Sequence, residues 1–417
     1  MPLPLEGIRV LDLTIWQQGP MATAMLADMG ADVIKIEGPD SPDPGRALVA
    51  QAFYPREGPN PYFETHNRNK RGIVLDLKSQ RGKEVFCRLV ERADVVVQNF
   101  RFGVAERLGL DYAALAAINP ALIYASASGF GLKGPDRELP ALDILAQARG
   151  GIMSVTGELE APPGRTVNGL ADQVSAFLLA YGIVVALFHR QRSGEGQVVD
   201  SSLLGAAIAA QAWNITSYLA AGSYAGQPLP RISRRLTSPL WNQYKGGDGK
   251  WFVLGMPQLG RFWPVFRRAM REATGEELEP ERMSIDYLRQ HATEMMALIA
   301  RLDELFAQKP AAQWRDLFRS HGLLVELVQD YPEVGQDPQA LANEMIVTFQ
   351  HPAHGPMPMV GVAVNLGKTP GSIRQPAPEF GQHTEEVLLE YGFTWEDIEG
   401  LRREGAVGPR SVEAGEG

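Results

Sequence analysis

The first half of the chain alternates short β-rich runs with helical patterns, and this alternation constrains the fold more than any other feature. Strands that alternate with helices are typical of parallel βαβ units. Gly19-Pro20 places a proline at a helix start, and Gly30 stands where that helix would end. The sequence therefore predicts an α/β fold built on an open, doubly wound, Rossmann-like parallel sheet. The successive runs are 8–13, 20–29, 32–37, 73–77, 81–92, 94–97 and 122–125.

A change of texture after Asn214 predicts a second domain. Residues 221–230 are small and rich in glycine and proline, as expected of a linker. The next unit opens with a short aromatic strand at 251–254 and continues in helices rich in Glu, Arg, Leu and Met. The predicted boundaries are 1–216 for the first part of a large domain, 217–235 for the linker, 236–325 for a small α+β domain, and 326–417 for a final part of mixed structure.

Composition and charge exclude several classes of function. The single cysteine, Cys87, excludes an internal disulfide and a cysteine-rich metal site. The net charge of −9 argues against general binding to nucleic acid, whose phosphates demand a basic surface. The N-terminus lacks the basic region and apolar run of a secretory signal, so the expected compartment is the cytoplasm.

A long apolar stretch at 174–192 predicts a helix. It contains polar and small residues, and we expect a buried helix here and no membrane span. Helical spacing predicts one apolar stripe along it. The residues of this stripe are Val174, Phe177, Leu178, Tyr181, Val185 and Phe188.

Two motifs suggest chemistry that their surroundings do not support. Residues 129–134 match the dinucleotide pattern G-x-G-x-x-G after a strand, but a loop-like run follows where a helix should begin. His351 and His354 resemble a metal pair, but the proline between them spoils helical spacing and no thiol or clear carboxylate nearby completes the set. We therefore expect neither a nicotinamide site nor a metal site.

Two further patterns each allow a structural and a functional interpretation. Residues 67–72 place three cations before a strand, which fits either a solvated basic turn or a phosphate site. Asp172 stands before the long helix, where aspartate is a favoured N-cap. A carboxylate at the mouth of a helix, flanked by small residues, is also accessible to an acyl group and can attack it.

Taken together, the motifs resemble the class III coenzyme A-transferase family, also called the CaiB/BaiF family, from Leu5 to about Leu401. Their order and spacing are specific to that family. In it, the glycines at 129–134 followed by Gly-Pro are typical and do not bind a dinucleotide. The matching stretches are 5–12, 19–20, 30–37, 69–71, 98–101, 129–131, 134–135 and 193–197.

The resemblance implies a mechanism, because Asp172 falls where the family has its nucleophilic aspartate. Asp172 would attack a donor thioester and form a mixed anhydride. The released CoA thiolate would then attack the aspartyl carbonyl to give an enzyme thioester, and the acceptor carboxylate would reverse these steps. Gln17 matches the family's active-site glutamine and is expected to stabilise the anionic intermediates. CoA and acyl-CoA are substrates, with succinyl-CoA as the family-level donor, and no permanent cofactor or metal is expected.

The resemblance also implies a set of CoA contacts, with cations near phosphates and an aromatic ring near the adenine or pantetheine. This sequence departs from the family at Ile15, where some members have histidine, and at Gly38, where some have arginine. The acyl pocket and part of the adenine site differ accordingly. The expected CoA-contacting residues are Lys70, Arg71, Asn99, Phe100, Arg107 and Asp143.

Two alternative functions come from the same family. Its 2-methylacyl-CoA epimerases use a histidine and an aspartate as opposed bases, with the histidine in a Gly-His-Asp element. Here the element reads Ala141-Leu142-Asp143, so one base is absent. A non-catalytic CoA-binding subunit of a heteromeric transferase is the other alternative, and the presence of Asp172 argues against it.

The family further implies that the last segment returns to the large domain and that two protomers interlock like chain links. The expected partners are an acyl-CoA, a small carboxylic acid and a second copy of the chain or a related subunit, with no nucleic acid and no membrane. The acids exchanged are not legible from the sequence. The aromatic residues that fit either a substrate pocket or the core are Trp16, Tyr54, Tyr62, Phe63 and Trp213.

Overall fold

The protein was analysed as a computed structural model that describes residues 2–48, 58–158, 161–220 and 233–410. The chain forms two compact units. The large unit comprises Met1–Ile152, Arg165–Gly222 and Pro338–Gly417, and the small unit comprises Met153–Gly164 and Ser223–Asp337. The small unit is thus larger than the predicted 236–325, because it includes Met153–Gly164, which no shift in composition marks, and because it extends to Asp337. The part of the chain that returns to the large unit therefore begins at Pro338 and not at the predicted 326. The predicted linker at 217–235 falls mostly outside the described residues.

The large unit contains a six-stranded parallel sheet in the order β3-β2-β1-β4-β5-β6. This order confirms the predicted doubly wound α/β fold, and β2 has the predicted bounds. It creates a switch point between β1 and β4, where the two halves of the sheet diverge. The sixth strand was not predicted. The strands are β1 (Arg9–Asp12), β2 (Asp32–Glu37), β3 (Lys70–Val74), β4 (Val95–Gln98), β5 (Ile123–Ser128) and β6 (Val198–Ser202).

Helices cover both faces of this sheet. On one face, strand residues such as Leu11 and Val96 pack in a cluster with Phe86; on the other, Val10 and Val97 pack with Leu179. Alternate residues of a strand point to opposite faces, so both faces are apolar. The helices of the first half are α1 (Gln18–Asp28), α2 (Pro61–Asn67), α3 (Gln80–Val90), α4 (Val104–Leu108), α5 (Tyr112–Ile118), α6 (Asp143–Arg149), α7 (Ile152–Val155), α8 (Leu170–Ser193), α9 (Leu203–Ala209) and α10 (Ala212–Ala220).

The 24-residue helix α8 packs on the sheet through a face that combines small residues with Leu179, Ile183 and Leu187. By length and composition alone it could cross a membrane, but such helices also occur in protein cores, and eight of its residues are buried here. A Cβ atom added at Gly182 would lie 2.7 Å from Val199 Cγ1, so the helix can approach the sheet this closely only with a small residue at that position. The predicted stripe is not the buried face, since Phe177, Tyr181 and Phe188 are exposed.

The small unit combines an antiparallel three-stranded sheet with helices, as an α+β domain does. Its core is rich in aromatic rings, among them Trp263, Phe266, Phe306 and Trp314. Its elements are β7 (Trp241–Lys245), β8 (Trp251–Gly255), α11 (Leu259–Thr274), α12 (Ile285–Gln290), α13 (Ala292–Phe306), α14 (Ala311–Ser320), β9 (Val325–Leu327) and α15 (Tyr331–Val334).

The last part of the chain lies against the edge of the parallel sheet. The Gly408 amide donates to the carbonyl of Val74, the last residue of β3, and the Asp76 amide just after β3 donates to the Ala406 carbonyl. These bonds cover the carboxyl end of the β3 edge, which would otherwise expose unpaired backbone groups. The elements of this part are α16 (Pro338–Ala342), the hairpin strands β10 (Ile346–His351) and β11 (Gly355–Val360), α17 (Thr384–Glu390) and α18 (Trp395–Arg403).

Candidate active site

The loops that follow β1 and β4 meet at the switch point of the sheet. The Asn99 side chain accepts a hydrogen bond from the Ile15 amide (3.1 Å) and donates one to the Ile15 carbonyl (2.7 Å). Ligands of open α/β sheets bind outside the carboxyl ends of the strands at such a point. Asn99 thus joins the two loops that form the crevice, and its predicted contact with CoA stays a prediction.

Buried charges hold the loop after β1 in an unusual conformation. Asp12 accepts hydrogen bonds from the amide and hydroxyl of Thr14, and the Lys35 ammonium donates to the Thr14 carbonyl at 2.9 Å. Lys35 is also paired with Asp43 at 2.8 Å, and the other Asp43 oxygen accepts the Trp16 amide. Trp16 has a φ of 68°, which a bulky residue rarely adopts. Such strain persists where the surroundings enforce it, often at functional sites.

Gln17 follows this strained residue and lies against the start of α8. Its Nε2 atom is 3.4 Å from the Gly169 carbonyl oxygen. A Cβ atom at Gly169 would lie 2.3 Å from the same nitrogen and would displace the Gln17 amide, and the φ of 81° at Gly169 favours glycine there. The structure thus brings Gln17 to the segment that carries Asp172, two sites 155 positions apart in the sequence.

Asp172 is the third residue of α8 and is not its N-cap, which corrects the structural interpretation of this residue. Gly169 is the N-cap and offers no side chain. Asp143 supplies the cap from elsewhere in the chain, because its Oδ1 atom accepts the Ala171 amide at 2.7 Å and the Asp172 amide at 3.4 Å. Its Oδ2 atom accepts from Gln147 at 2.7 Å. The Asp143 carboxylate is therefore committed to the helix start, which corrects its assignment as a CoA contact.

The environment of Asp172 makes its carboxylate unusually basic. The side chain is half-buried, and no described residue donates a hydrogen bond to it. Burial raises its pKa from 3.8 to about 7, and the neighbouring charge of Asp143 adds to the effect. An ionised carboxylate that lacks compensating partners is costly and reactive. Strongly shifted groups in a cleft are candidates for catalysis.

Lys70 does not line the crevice, contrary to the prediction that it contacts CoA. Its side chain is fully buried and donates to Asp12, to the Pro20 carbonyl and to Asn67, each at 2.9 Å. Burial would raise the pKa of Asp12, but the charges of Lys70 and Lys35 and the nearby hydroxyls lower it to about 2. Lys70 is thus a structural cation that supports the loop after β1.

Arg71 also has a structural partner set. It lies at the amino end of β3 and forms ion pairs with Asp32, Glu386 and Glu390, all at 2.8–2.9 Å. Active-site loops follow the carboxyl ends of the strands, so Arg71 lies at the wrong end of β3 for a CoA contact. The cations at 67–72 therefore correspond to neither a solvated turn nor a phosphate site.

Arg107 and Phe100 remain compatible with the predicted CoA contacts. Arg107 is exposed on α4, and no carboxylate of the described residues forms an ion pair with it. Phe100 is half-buried directly after β4 and packs on the core beneath it. Both follow the carboxyl end of β4, so their roles in CoA binding stay predictions.

The two motifs that suggested other chemistry lie outside this arrangement. No helix begins after Gly134 until α6 starts at Asp143, so the glycine pattern lacks the helix N-terminus that a dinucleotide site needs. The rings of His351 and His354 are tilted against each other with centroids 4.6 Å apart, and His351 lies 3.6 Å from Glu64. Within the described ranges, no group of three or more His, Cys, Asp or Glu could hold a metal ion.

The aromatic residues considered for a pocket divide between core and surface. Phe63 is buried, whereas Trp213 is 83% exposed and Trp16 is 43% exposed beside Gln17. Tyr62 packs on His66. Tyr54 lies outside the described residues. Sequence reasoning missed Gly169 and Gln18, although a glycine just before a helix is a usable signal for a left-handed residue.

Comparison with known proteins gives one consistent result. The family described as CoA-transferase family III matches residues 5–384. The succinyl-CoA–D-citramalate CoA-transferase of Chloroflexus aurantiacus is 32% identical over 403 residues, which cover 95% of this chain and 96% of that enzyme. The succinate–glutarate CoA-transferase of Agrobacterium fabrum is 33% identical over 400 residues, covering 93% of this chain and 95% of the relative.

Solved structures show the same similarity in three dimensions. A crystal structure of a CaiB/BaiF family protein from Brucella suis superimposes with a TM-score of 0.80 at 29% identity. The match covers 94% of this chain and all of that one. The fold is therefore shared over nearly the whole length, the small unit included.

Proposed function

The chain belongs to CoA-transferase family III and is an enzyme, and from that membership we propose that it moves CoA from an acyl-CoA donor to a carboxylic acid through covalent intermediates on Asp172. One observation carries the proposal. The Asp172 carboxylate is half-buried, receives no hydrogen bond from a described residue, and has a pKa raised to about 7. A carboxylate in that state is a competent nucleophile toward a thioester.

Four balanced steps describe the proposed transfer. The Asp172 carboxylate attacks the donor thioester carbonyl, forms a mixed anhydride and releases the CoA thiolate. The thiolate attacks the aspartyl carbonyl of the anhydride, which yields an Asp172–CoA thioester and frees the donor acid. The acceptor carboxylate then attacks this thioester and releases the thiolate again. Attack of the thiolate on the acceptor acyl carbonyl gives the new acyl-CoA and restores the Asp172 carboxylate.

Burial of Asp172 favours the covalent intermediates relative to the free carboxylate. Burial penalises the charged carboxylate, and the mixed anhydride and the thioester at Asp172 are both uncharged. The environment that makes the free carboxylate costly therefore costs the acylated enzyme little. The energy gap between the resting enzyme and its covalent intermediates is reduced accordingly.

Gln17 is the proposed donor for the negative charge that develops on the carbonyl oxygen in each step. The amides of Ala171 and Asp172 at the start of α8 already donate to Asp143, so they are not available for this task. Among the described residues, the Gln17 amide makes one long contact, at 3.4 Å to the Gly169 carbonyl, and its second N–H has no partner there. Preorganised donors of this kind contribute strongly to acyl transfer.

The donor and acceptor acids are proposed by analogy with the relatives. The names of the Chloroflexus and Agrobacterium enzymes both involve succinate or its CoA thioester. We therefore propose succinyl-CoA as the first donor to be tested, with small carboxylic acids as acceptors. Arg107 and Phe100 are the residues we propose to hold the CoA moiety.

The sister activity of the family, epimerisation, lacks support at this site. Leu142 stands where the histidine base would be, and its side chain is 66% exposed. Asp143, the other member of the element, is occupied by the helix amides. Of the residues that the structure describes at this element, Asp172 alone has a carboxylate free to exchange a proton, so the opposed pair of bases that an epimerase needs is not formed there.

We also propose that a second protomer covers the outer face of the large unit, as the family implies. Large apolar side chains are exposed along α8 and α10, and such contiguous patches mark interaction surfaces. Sedimentation of the purified protein tests this, because a monomer at micromolar concentration would contradict it. The side chains concerned are Phe177, Tyr181, Val185, Phe188, Trp213 and Leu219.

A panel experiment tests the proposed function. Purified protein is incubated with succinyl-CoA and other thioesters, each paired with a set of carboxylic acids, and the acyl-CoA products are identified by mass. We expect at least one new acyl-CoA that forms only when both donor and acceptor are present. Exchange of the α-hydrogen of a 2-methylacyl-CoA without new thioester would indicate the epimerase, and CoA binding without either product would indicate a binding subunit.

A further inference from the structure

Gln18 carries a buried polar contact next to the active-site glutamine. It is the first residue of α1 and is 5% exposed. Its Nε2 atom lies 2.6 Å from Ser175 Oγ, 3.0 Å from the Ser201 carbonyl oxygen and 3.3 Å from the Ser128 carbonyl oxygen. Two of these three acceptors are carbonyl oxygens, which cannot donate, so the amide nitrogen must face them.

The hydroxyl groups around Gln18 complete a consistent network. If Gln18 donates to Ser175 Oγ, the Ser175 hydroxyl donates to Ser201 Oγ at 2.9 Å, and the Ser201 hydroxyl donates to the Ser175 carbonyl at 3.1 Å. Each hydroxyl then donates once, and none of the three side chains is left unpaired. The network joins the start of α1 to α8 and to the carboxyl ends of β5 and β6.

Consecutive glutamines thus touch α8 on either side of the nucleophile. Gln17 lies against Gly169, three residues before Asp172, and Gln18 binds Ser175, three residues after it. Residues three apart are neighbours along one face of a helix. The start of α8 therefore contacts two adjacent residues, Gln17 at the N-cap of α1 and Gln18 at its first position, and Asp172 lies between the two contacts along the chain.

We propose, on the premise of the transferase function above, that Gln18 is a positioning residue that sets the distance between the Gln17 amide and the Asp172 carboxylate. Its hydrogen bond to Ser175 fixes the position of α8 along the helix axis relative to the start of α1. Displacement of a reacting group by about 1 Å can cost roughly a hundredfold in rate. The inference gives a function to Gln18, whose hydrogen bonds within the described residues are to Ser128, Ser175 and Ser201.

Part of the network persists when Gln18 is replaced. Ser175 and Ser201 bond to each other through two contacts that remain when Gln18 is replaced. The hydrogen-bonded link from α8 to β6 then persists, whereas the link that Gln18 makes from α1 to α8, β5 and β6 is lost. Methionine has nearly the length of glutamine and no donor, so Gln18→Met removes that link with little change in volume.

The test measures kcat and KM for acyl-CoA in Gln18→Met. Because that variant could fail to fold, the same constants are measured in Ser175→Ala, which removes the hydrogen bond between Gln18 and Ser175 from the other side. Each is made in the parent enzyme and in a Gln17→Ala background. We expect kcat to fall about tenfold in the parent with KM within about twofold. In the Gln17→Ala background, the same change should alter kcat by less than about twofold, since there is no longer an amide to position.

Ser79→Ala is the matched control, because Ser79 caps α3 away from the site and its loss lowers stability without a catalytic cause. It should lower Tm and leave kcat unchanged. Wild-type kcat in both Gln18→Met and Ser175→Ala, or an equal loss in the two backgrounds, would overturn the inference. Absence of any transfer by the wild-type enzyme would contradict the proposed function itself and would be seen before the variants are compared.

Discussion

Asp143 caps the helix that carries Asp172: its Oδ1 atom accepts the Ala171 amide at 2.7 Å and the Asp172 amide at 3.4 Å. The same carboxylate that stabilises the start of α8 is a negative charge beside the nucleophile. It therefore contributes to the position of Asp172 and also to its raised pKa.

Neutralising Asp143 should separate these two contributions. Asp143→Asn keeps an oxygen for the helix amides but removes the charge, so the pKa of Asp172 falls. It stays above 3.8, because burial, the larger cause, remains. The pH at which kcat/KM declines on the acid side should shift downward from about 7, measured with saturating acceptor between pH 5 and 9.

Asp143→Ala and Asp136→Asn complete this comparison. The alanine variant loses the cap as well as the charge and should be less stable by about 1 kcal/mol. Asp136 is another carboxylate of the same region, but it pairs with Arg149 and does not contact α8. An identical pH profile in Asp143→Asn and the wild type would show that the charge of Asp143 does not tune the nucleophile.

Gly169→Ala should impair catalysis beyond its cost in stability. The new Cβ atom would lie 2.3 Å from Gln17 Nε2 and displace the amide from its place. Gly194→Ala, at the other end of α8, has a similar φ of 77° but no atom within 4 Å of the added Cβ. Both should lose about 1–2 kcal/mol from left-handed strain. We expect kcat to fall at least about tenfold in Gly169→Ala alone, and equal kcat values in the two variants would refute this.

Lys70→Met should lower stability, whereas Arg107→Ala should weaken CoA binding and leave stability unchanged. Lys70→Met leaves Asp12 without its 2.9 Å partner in the core and should cost about 3–5 kcal/mol in unfolding free energy. Arg107 is exposed on α4, so its truncation should leave Tm unchanged and raise KM for acyl-CoA roughly tenfold. Thermal unfolding and steady-state kinetics on both proteins check this, and a normal KM in Arg107→Ala would remove Arg107 from the CoA site.

Asp172→Asn should stabilise the folded protein at alkaline pH. The folded-state pKa of Asp172 is raised to about 7, so between pH 3.8 and 7 the folded state binds more protons than the unfolded state. Stability is thus lost as pH rises through this window, and the full cost is present above pH 7. Asparagine carries no such cost. The Tm of the variant should exceed that of the wild type at pH 8, and the difference should vanish near pH 4.

The sequence predicted the sheet well and the environment of the site less well. The apolar runs predicted β1, β2, β4 and β5 close to their observed positions, because parallel strands are buried on both faces and read as continuous apolar runs. β3 was predicted at 73–77 but spans Lys70–Val74, because its first two residues are charged. β6 was missed, since Val198-Val199-Asp200-Ser201-Ser202 is half polar and lies at the edge of the sheet.

Long-range contacts explain the errors at the site. Asp172 looked like an N-cap because a local pattern cannot reveal that Asp143, 29 residues earlier, supplies the cap. Lys70 looked like a phosphate ligand because sequence shows a charge but not its burial against Asp12. The stripe through Phe177 and Phe188 looked like the core face, yet close packing on the sheet requires the small residues on the opposite face of α8.

Chemical trapping at Asp172 tests the central claim most directly. The purified enzyme is incubated with a donor thioester, hydroxylamine is added, and the peptide that contains Asp172 is examined by mass spectrometry. We predict a hydroxamate on the Asp172 side chain that requires the thioester and is absent from Asp172→Ala. An unmodified Asp172 peptide in an enzyme that still transfers CoA, or full transfer by Asp172→Ala, would contradict the account.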